Sequence, residues 1–131
     1  MKKSVLVTAL FLVASALPVR AEGAFAVAIP EGGFGNGFAY GLATNYATNE
    51  LARQGAMEEC RKQAQRFDIP ASRCEVISAF RKQCMSIAFD RTARWVGWAV
   101  ADTRELAVAN AIKKCAEGAP NCQTSGSDCD Q

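Results

Sequence analysis

Thr48, Ala52, Ala56 and Cys60 stand four residues apart, and the same residue types return at Thr103, Ala107, Ala111 and Cys115, a shift of 55 (103 − 48). Four-residue spacing stacks side chains on one face of an α-helix, so each run predicts a helix with a stripe of small side chains ending in cysteine. Such a stripe lets a helix lie close on a sheet, and Leu51, Leu106 and Ile112 are expected to widen it as core. Thr48 and Thr103 suit the cap position, with Glu50 and Glu105 in the first turn and Arg61, Lys62, Lys113 and Lys114 near the opposite end, as the helix dipole favours. The full capping box would need Glu one position later, so the caps rest on threonine alone.

The likeness extends upstream. Residues 25–29 align with 85–89, and Gly37-Phe38-Ala39 aligns with Gly97-Trp98-Ala99, both at a shift of 60. Short β-rich runs at 24–29, 37–43, 85–89 and 95–101 predict two hairpins, the first joined by the glycine-rich segment 30–36 and the second by 90–93. A further strand is expected over Cys74 to Phe80, whereas Asn121 to Gln131 is polar, poor in strand formers and expected to be a truncated counterpart held by cysteines. The expected architecture is α+β: two related β-β-α-β units, at about 24–84 and 85–129, with two helices packed on antiparallel sheet and disulfide staples.

Lys2 and Lys3, an apolar run from Val5 to Leu17, and Val19-Arg20-Ala21 predict a signal peptide over 1–21 and a single mature domain over 22–131. The apolar run is too short to span a bilayer, so no membrane insertion is expected after cleavage. Removing the leader takes 3 of 15 basic residues and none of the 13 acidic ones, leaving a net charge of 12 − 13 = −1. A near-neutral body lacks the dense basic surface that nucleic acid requires, so no nucleic-acid partner is expected. Export to the periplasm or beyond places the chain in an oxidising compartment, where six cysteines imply bridges.

Of the 15 ways to pair six cysteines, one repeats a local staple twice: Cys60 with Cys74, and Cys115 with Cys122. Cys84 and Cys129 then remain, expected to join the two units.

Strand, Gly-aromatic, strand, and an Ala-x-x-x-Ala-x-x-x-Cys helix followed by a cysteine-led strand, twice over, resemble the bacterial exported family known as domain of unknown function 4189. The resemblance covers about residues 24–129, and the polar segment after Cys122 departs from it. It implies no activity, cofactor or catalytic residue.

The chain contains no histidine, which removes serine–histidine and cysteine–histidine catalysis and histidine-based zinc sites. The glycine-rich loop 32–37 precedes a strand and lacks the lysine of a phosphate loop, so it reads as a hairpin tip. Glu58-Glu59 and the tail pair Asp128 and Asp130 lack the opposed placement of an acid–base couple. No catalytic residue, cofactor or metal site is therefore assigned. Trp95 and Trp98 should face opposite sides of one strand, and Phe34, Tyr40, Tyr46 and Trp95 are the candidate contact surface for a protein or glycan. The function expected is that of a small exported binding protein acting on another protein, an inhibitor being one form. A carboxylate hydrolase of the cell envelope or a structural envelope component is the alternative.

Overall fold

The computed structural model describes residues 21–130; the signal peptide expected over 1–21 lies outside the described residues except for Ala21. The elements in order are β1 (Glu22–Ala28), β2 (Ala39–Tyr46), α1 (Asn49–Arg66), β3 (Glu75–Arg81), β4 (Cys84–Asp90), β5 (Trp95–Ala101), α2 (Arg104–Ala116) and β6 (Gln123–Cys129). They form two antiparallel three-stranded sheets of like topology, β2-β1-β3 and β5-β4-β6, each with its own helix.

Side-chain size along the central strands sets the layering. In β1, Ala24, Ala26 and Ala28 face α1 and meet its Ala52, Ala56 and Cys60, whereas Phe25 and Val27 point the other way. In β4, Ala88 meets Ala111 and Cys115 of α2, whereas Met85 and Ile87 join Phe25 and Val27 between the sheets. The result is helix, sheet, sheet, helix, with the bulky core in the middle and thin alanine layers outside it. Strand alternation makes this possible, because every second residue belongs to one layer only.

The outer layers are so thin that one position in each unit has no room for a side chain. A Cβ on Gly41 would lie 1.9 Å from the Ala56 carbonyl oxygen, and one on Gly97 would lie 2.3 Å from the Cys115 amide nitrogen. These glycines are equivalent, so the shift in the second strand is 97 − 41 = 56 and not the 60 read from Gly37. The first strands differ likewise. Each third strand carries an extra residue opposite the central strand, Ile77 between the partners of Phe25 and Ala26 and Ser125 between those of Ile87 and Ala88, which sets the shift of the first strand at 87 − 25 = 62.

Thr48 and Thr103 cap their helices, each accepting from a backbone amide at 3.2 Å, those of Leu51 and Leu106. The leucines themselves are exposed, at 45% and 50%, contrary to the expectation that they widen the core stripe. A helix that rests on the sheet through one row of alanines turns the neighbouring positions, about 100° away, toward solvent.

The disulfides are Cys60–Cys74, Cys115–Cys122 and Cys84–Cys129. The first two join the last part of each helix to the approach of its third strand. Cys84 opens β4 and lies opposite Cys129, so the third bridge is internal to the second unit and does not join the units as expected. At the equivalent place in the first unit Glu22 lies opposite Arg81, and their side chains form an ion pair at 3.5 Å.

The segment after Cys122 is a full strand, not a truncated tail. Its low strand propensity is overridden by anchorage: bridges hold both ends, β4 pairs along its length, and Arg104 Nη1 donates to the Ser127 carbonyl and hydroxyl, both at 2.8 Å. Asp130, expected in a loose tail, is 2% exposed. Its carboxylate accepts from the Asn45 amide at 2.7 Å and the Lys82 amide at 3.1 Å, tying the end of the second unit to the first. Asp128 accepts from the Thr44 hydroxyl at 3.0 Å across the same junction.

Candidate binding surface

The β1–β2 and β4–β5 connections and the C-terminal ends of both helices meet at one end of the sandwich. The longer connection turns on Gly32, Gly33 and Gly37, with φ of 90°, 86° and 90°, a region that side chains disfavour. Between them Phe34–Asn36 forms a short 3₁₀ turn, and the Arg94 guanidinium donates to the Gly35 carbonyl, fastening the loop of the first unit onto the second.

Phe34 therefore sits against Trp95, edge to face at 5.7 Å, with Phe38 behind it at 6.0 Å. Trp95 is 41% exposed. Its indole lies so close over Gly118 that a Cβ there would fall 2.2 Å from the ring. From Phe38 the aromatic row continues to Tyr40, stacked at 5.9 Å, and to Phe89 at 5.5 Å, then through Phe25 to Trp98 between the sheets. The two tryptophans thus occupy different faces of β5, Trp98 inward and Trp95 outward.

Of the four aromatic residues singled out in the sequence, the structure joins three through this row, Phe34, Tyr40 and Trp95. Phe34 and Tyr40 are half-buried and Trp95 is the exposed member. Tyr46 is not with them. It ends β2 at the far end of the sandwich, with its ring against Gly55 of α1.

On the side of the row away from Trp95 a groove of about 810 Å³ opens between the units. Phe38, Tyr40 and Phe89 form its inner wall, Gln63 and Arg66 of α1 one rim, and Arg91, Asn121 and the first residues of β6 the other. Gln63 is positioned by its own carbonyl, which accepts from the Tyr40 amide at 3.1 Å.

Asp90 holds the second rim together. It is 1% exposed, and its carboxylate accepts from the amides of Thr92, Ala93 and Asn121 at 2.8, 2.9 and 2.8 Å. The Ala93 amide above all, with Asn121 and then Thr92, holds its pKa below the ordinary carboxylate value, against the opposing effect of burial. Sequence reasoning missed this residue. The available signal was an aspartate at a strand end before a four-residue connection, where its side chain accepts from the turn amides.

The remaining carboxylate pairs serve other purposes. Glu58 and Glu59 share Lys62 at 3.0 and 3.2 Å on the exposed face of α1, and Asp128 and Asp130 lie at the end opposite the groove. No group of three or more acidic or cysteine side chains able to hold a metal occurs among the described residues. No helix among them is long and apolar enough to cross a membrane.

No curated protein and no solved structure matches this chain. One family model does, over residues 23–129, from the second residue of β1 to the last residue of β6 and so across both units and all six cysteines. The chain belongs to the family described as domain of unknown function DUF4189.

Proposed function

We propose that the protein is an exported binding module that engages another protein in the periplasm or outside the cell, with inhibition of a hydrolase as one form of that role. The observation that carries this reading is Trp95. It is large and exposed, yet it is already fixed between Phe34 and Gly118, so a partner would gain its contact area with little ordering cost. Three disulfides suit an oxidising compartment.

The test is capture from envelope and culture fluids on the immobilised oxidised chain, with Trp95→Ala and the reduced, alkylated chain beside it. Retention by the parent that is lost in both controls, while Trp95→Ala keeps its melting temperature, supports the reading. Retention unaffected by Trp95→Ala removes the role assigned to this residue.

A further inference from the structure

The groove on the far side of the aromatic row has a composition of its own. Its volume, about 810 Å³, is within the range of sites for small ligands. A second hollow of about 290 Å³ shares Tyr40 and Gln63 with it and runs on along β2 and β6 toward Gly126. Glu59 and Asp128 line that second hollow, so an anionic ligand is confined to the first, the trough between the starts of β2 and β6.

Three observations limit what fits there. The first is charge: Arg66 and Arg91 stand on opposite rims, and neither has a salt-bridge partner among the described residues. The acid nearest them, Asp90, is 1% exposed and its carboxylate accepts from three backbone amides, so its charge is met by the turn and not by the arginines. The second is the lining, which sets Phe38 and Tyr40 against neutral amide and hydroxyl groups of Gln63, Asn121, Gln123 and Thr124. The third is the β2 edge. An extended peptide would recognise the outward backbone groups of that strand, but the Tyr40 amide is already occupied by Gln63.

We infer that the trough between β2 and β6 is a binding site for an acidic saccharide, a short chain of sugar rings bearing carboxylates. Apolar ring faces lie along Phe38 and Tyr40, ring hydroxyls meet the amide and hydroxyl rim, and Arg66 and Arg91 receive carboxylates by charge-assisted hydrogen bonds. Gln63 suits its place because its carbonyl is committed to Tyr40, leaving its amide protons to donate. This site is distinct from the Trp95 contact and stands or falls separately from it.

The experiment is an NMR titration of the oxidised chain with trigalacturonic acid, with the fully methyl-esterified trimer as the uncharged control. The acid is expected to shift resonances of Tyr40, Gln63 and Asn121 saturably, and the ester to bind at least about tenfold more weakly. Arg66→Gln and Arg91→Gln, both at exposed positions, should each weaken the acid by about three- to tenfold, whereas Trp95→Ala should leave it unchanged. Absence of saturable shifts with the acid, equal affinity for acid and ester, or indifference to both arginine substitutions would overturn the assignment. Shifts produced by an unfolded variant are recognised by loss of amide dispersion, and Arg66→Lys, which keeps the charge, then decides in its place.

Discussion

Gly41→Ala tests the thin outer layer that defines this architecture. The added Cβ would stand 1.9 Å from the Ala56 carbonyl oxygen, 2.5 Å from the Cys60 amide nitrogen and 2.9 Å from the Ala56 carbonyl carbon. Ordinary contact begins near 3.4 Å, so relief requires α1 to move by about 3.4 − 1.9 = 1.5 Å or the strand to buckle by as much. All three atoms are backbone, which no rotamer change can remove. Overpacking of this kind costs about 1 to 3 kcal/mol, and rigid backbone on both sides argues for the upper part of that range. The opposing gain from a less flexible unfolded chain is only about 0.4 to 1 kcal/mol. A net loss of about 2 kcal/mol in a domain of this size lowers the melting temperature by roughly 8 to 16 °C. Thermal unfolding of the oxidised protein followed by circular dichroism measures it. Gly35→Ala is the control, since its Cβ would meet nothing within 4 Å. If Gly41→Ala melts with the parent, the helix does not lie on the strand as described, and the same reasoning for Gly97 fails with it.

Replacing Cys84 and Cys129 together by alanine should cost about 2 to 4 kcal/mol in denaturant unfolding, and the amides of β6 should lose hydrogen-exchange protection before those of β1. Asp130→Ala strips the Asn45 and Lys82 amides of their side-chain acceptor and should cost about 1 to 3 kcal/mol by the same measurement. Asp90→Asn should be less stable than the parent at neutral pH. The folded-state pKa of Asp90 lies below its unfolded value, so the ionised form is favoured by folding: its contribution is complete above the ordinary value of 3.8 and declines as pH falls through the lower folded value. The gap between parent and Asp90→Asn should accordingly narrow in acid, and a gap constant from neutral pH to well below 3.8 would refute the role of the three amides.

The helices and strands were legible where one physical rule acted alone. The alanine rows at four-residue spacing and the threonine caps both describe a helix whatever surrounds it, and the structure has them. The two local cysteine pairs followed because each helix end and the start of its returning strand must meet. Other features depended on what lay across the layer. Leu51 and Leu106 were misplaced because the width of a buried stripe is set by how closely the helix approaches the sheet, which Gly41 and Gly97 decide from another element. The register shift of 60 failed because the irregularity opposite Phe25 and Ile87 sits in the third strand, where composition does not reveal it. β6 was undervalued for the same reason, since its stability comes from β4, two bridges and Arg104 and not from its own residues. In the candidate site, Trp95 and Phe34 were visible as aromatics near turns, and Asp90 could have been read as a turn acceptor at a strand end, but the groove is made by two units meeting, and no local pattern announces Gln63 as part of its frame.

The site follows from a departure from likeness between the units. Ten residues (29–38) connect β1 to β2, and four (91–94) connect β4 to β5. The long connection reaches across, fastens through Arg94 and lays Phe34 on Trp95, so the edge where β5 meets the first unit is partly covered. The short connection does not reach back, and the equivalent edge, where β2 faces β6, is left open as the groove. Equivalent positions differ to match: Gln63 of α1 corresponds to Gly118 after α2 (118 − 63 = 55), so one edge has a polar arm and the other a bare seat for an indole. Two units alike enough to share a core thereby present two unlike surfaces at one end, one aromatic and fixed in place, the other polar, arginine-flanked and open. Lengthening the short connection by inserting Gly-Gly-Phe-Gly after Thr92 should close the groove without disturbing Trp95, and loss of both surfaces together would show that they are not separable.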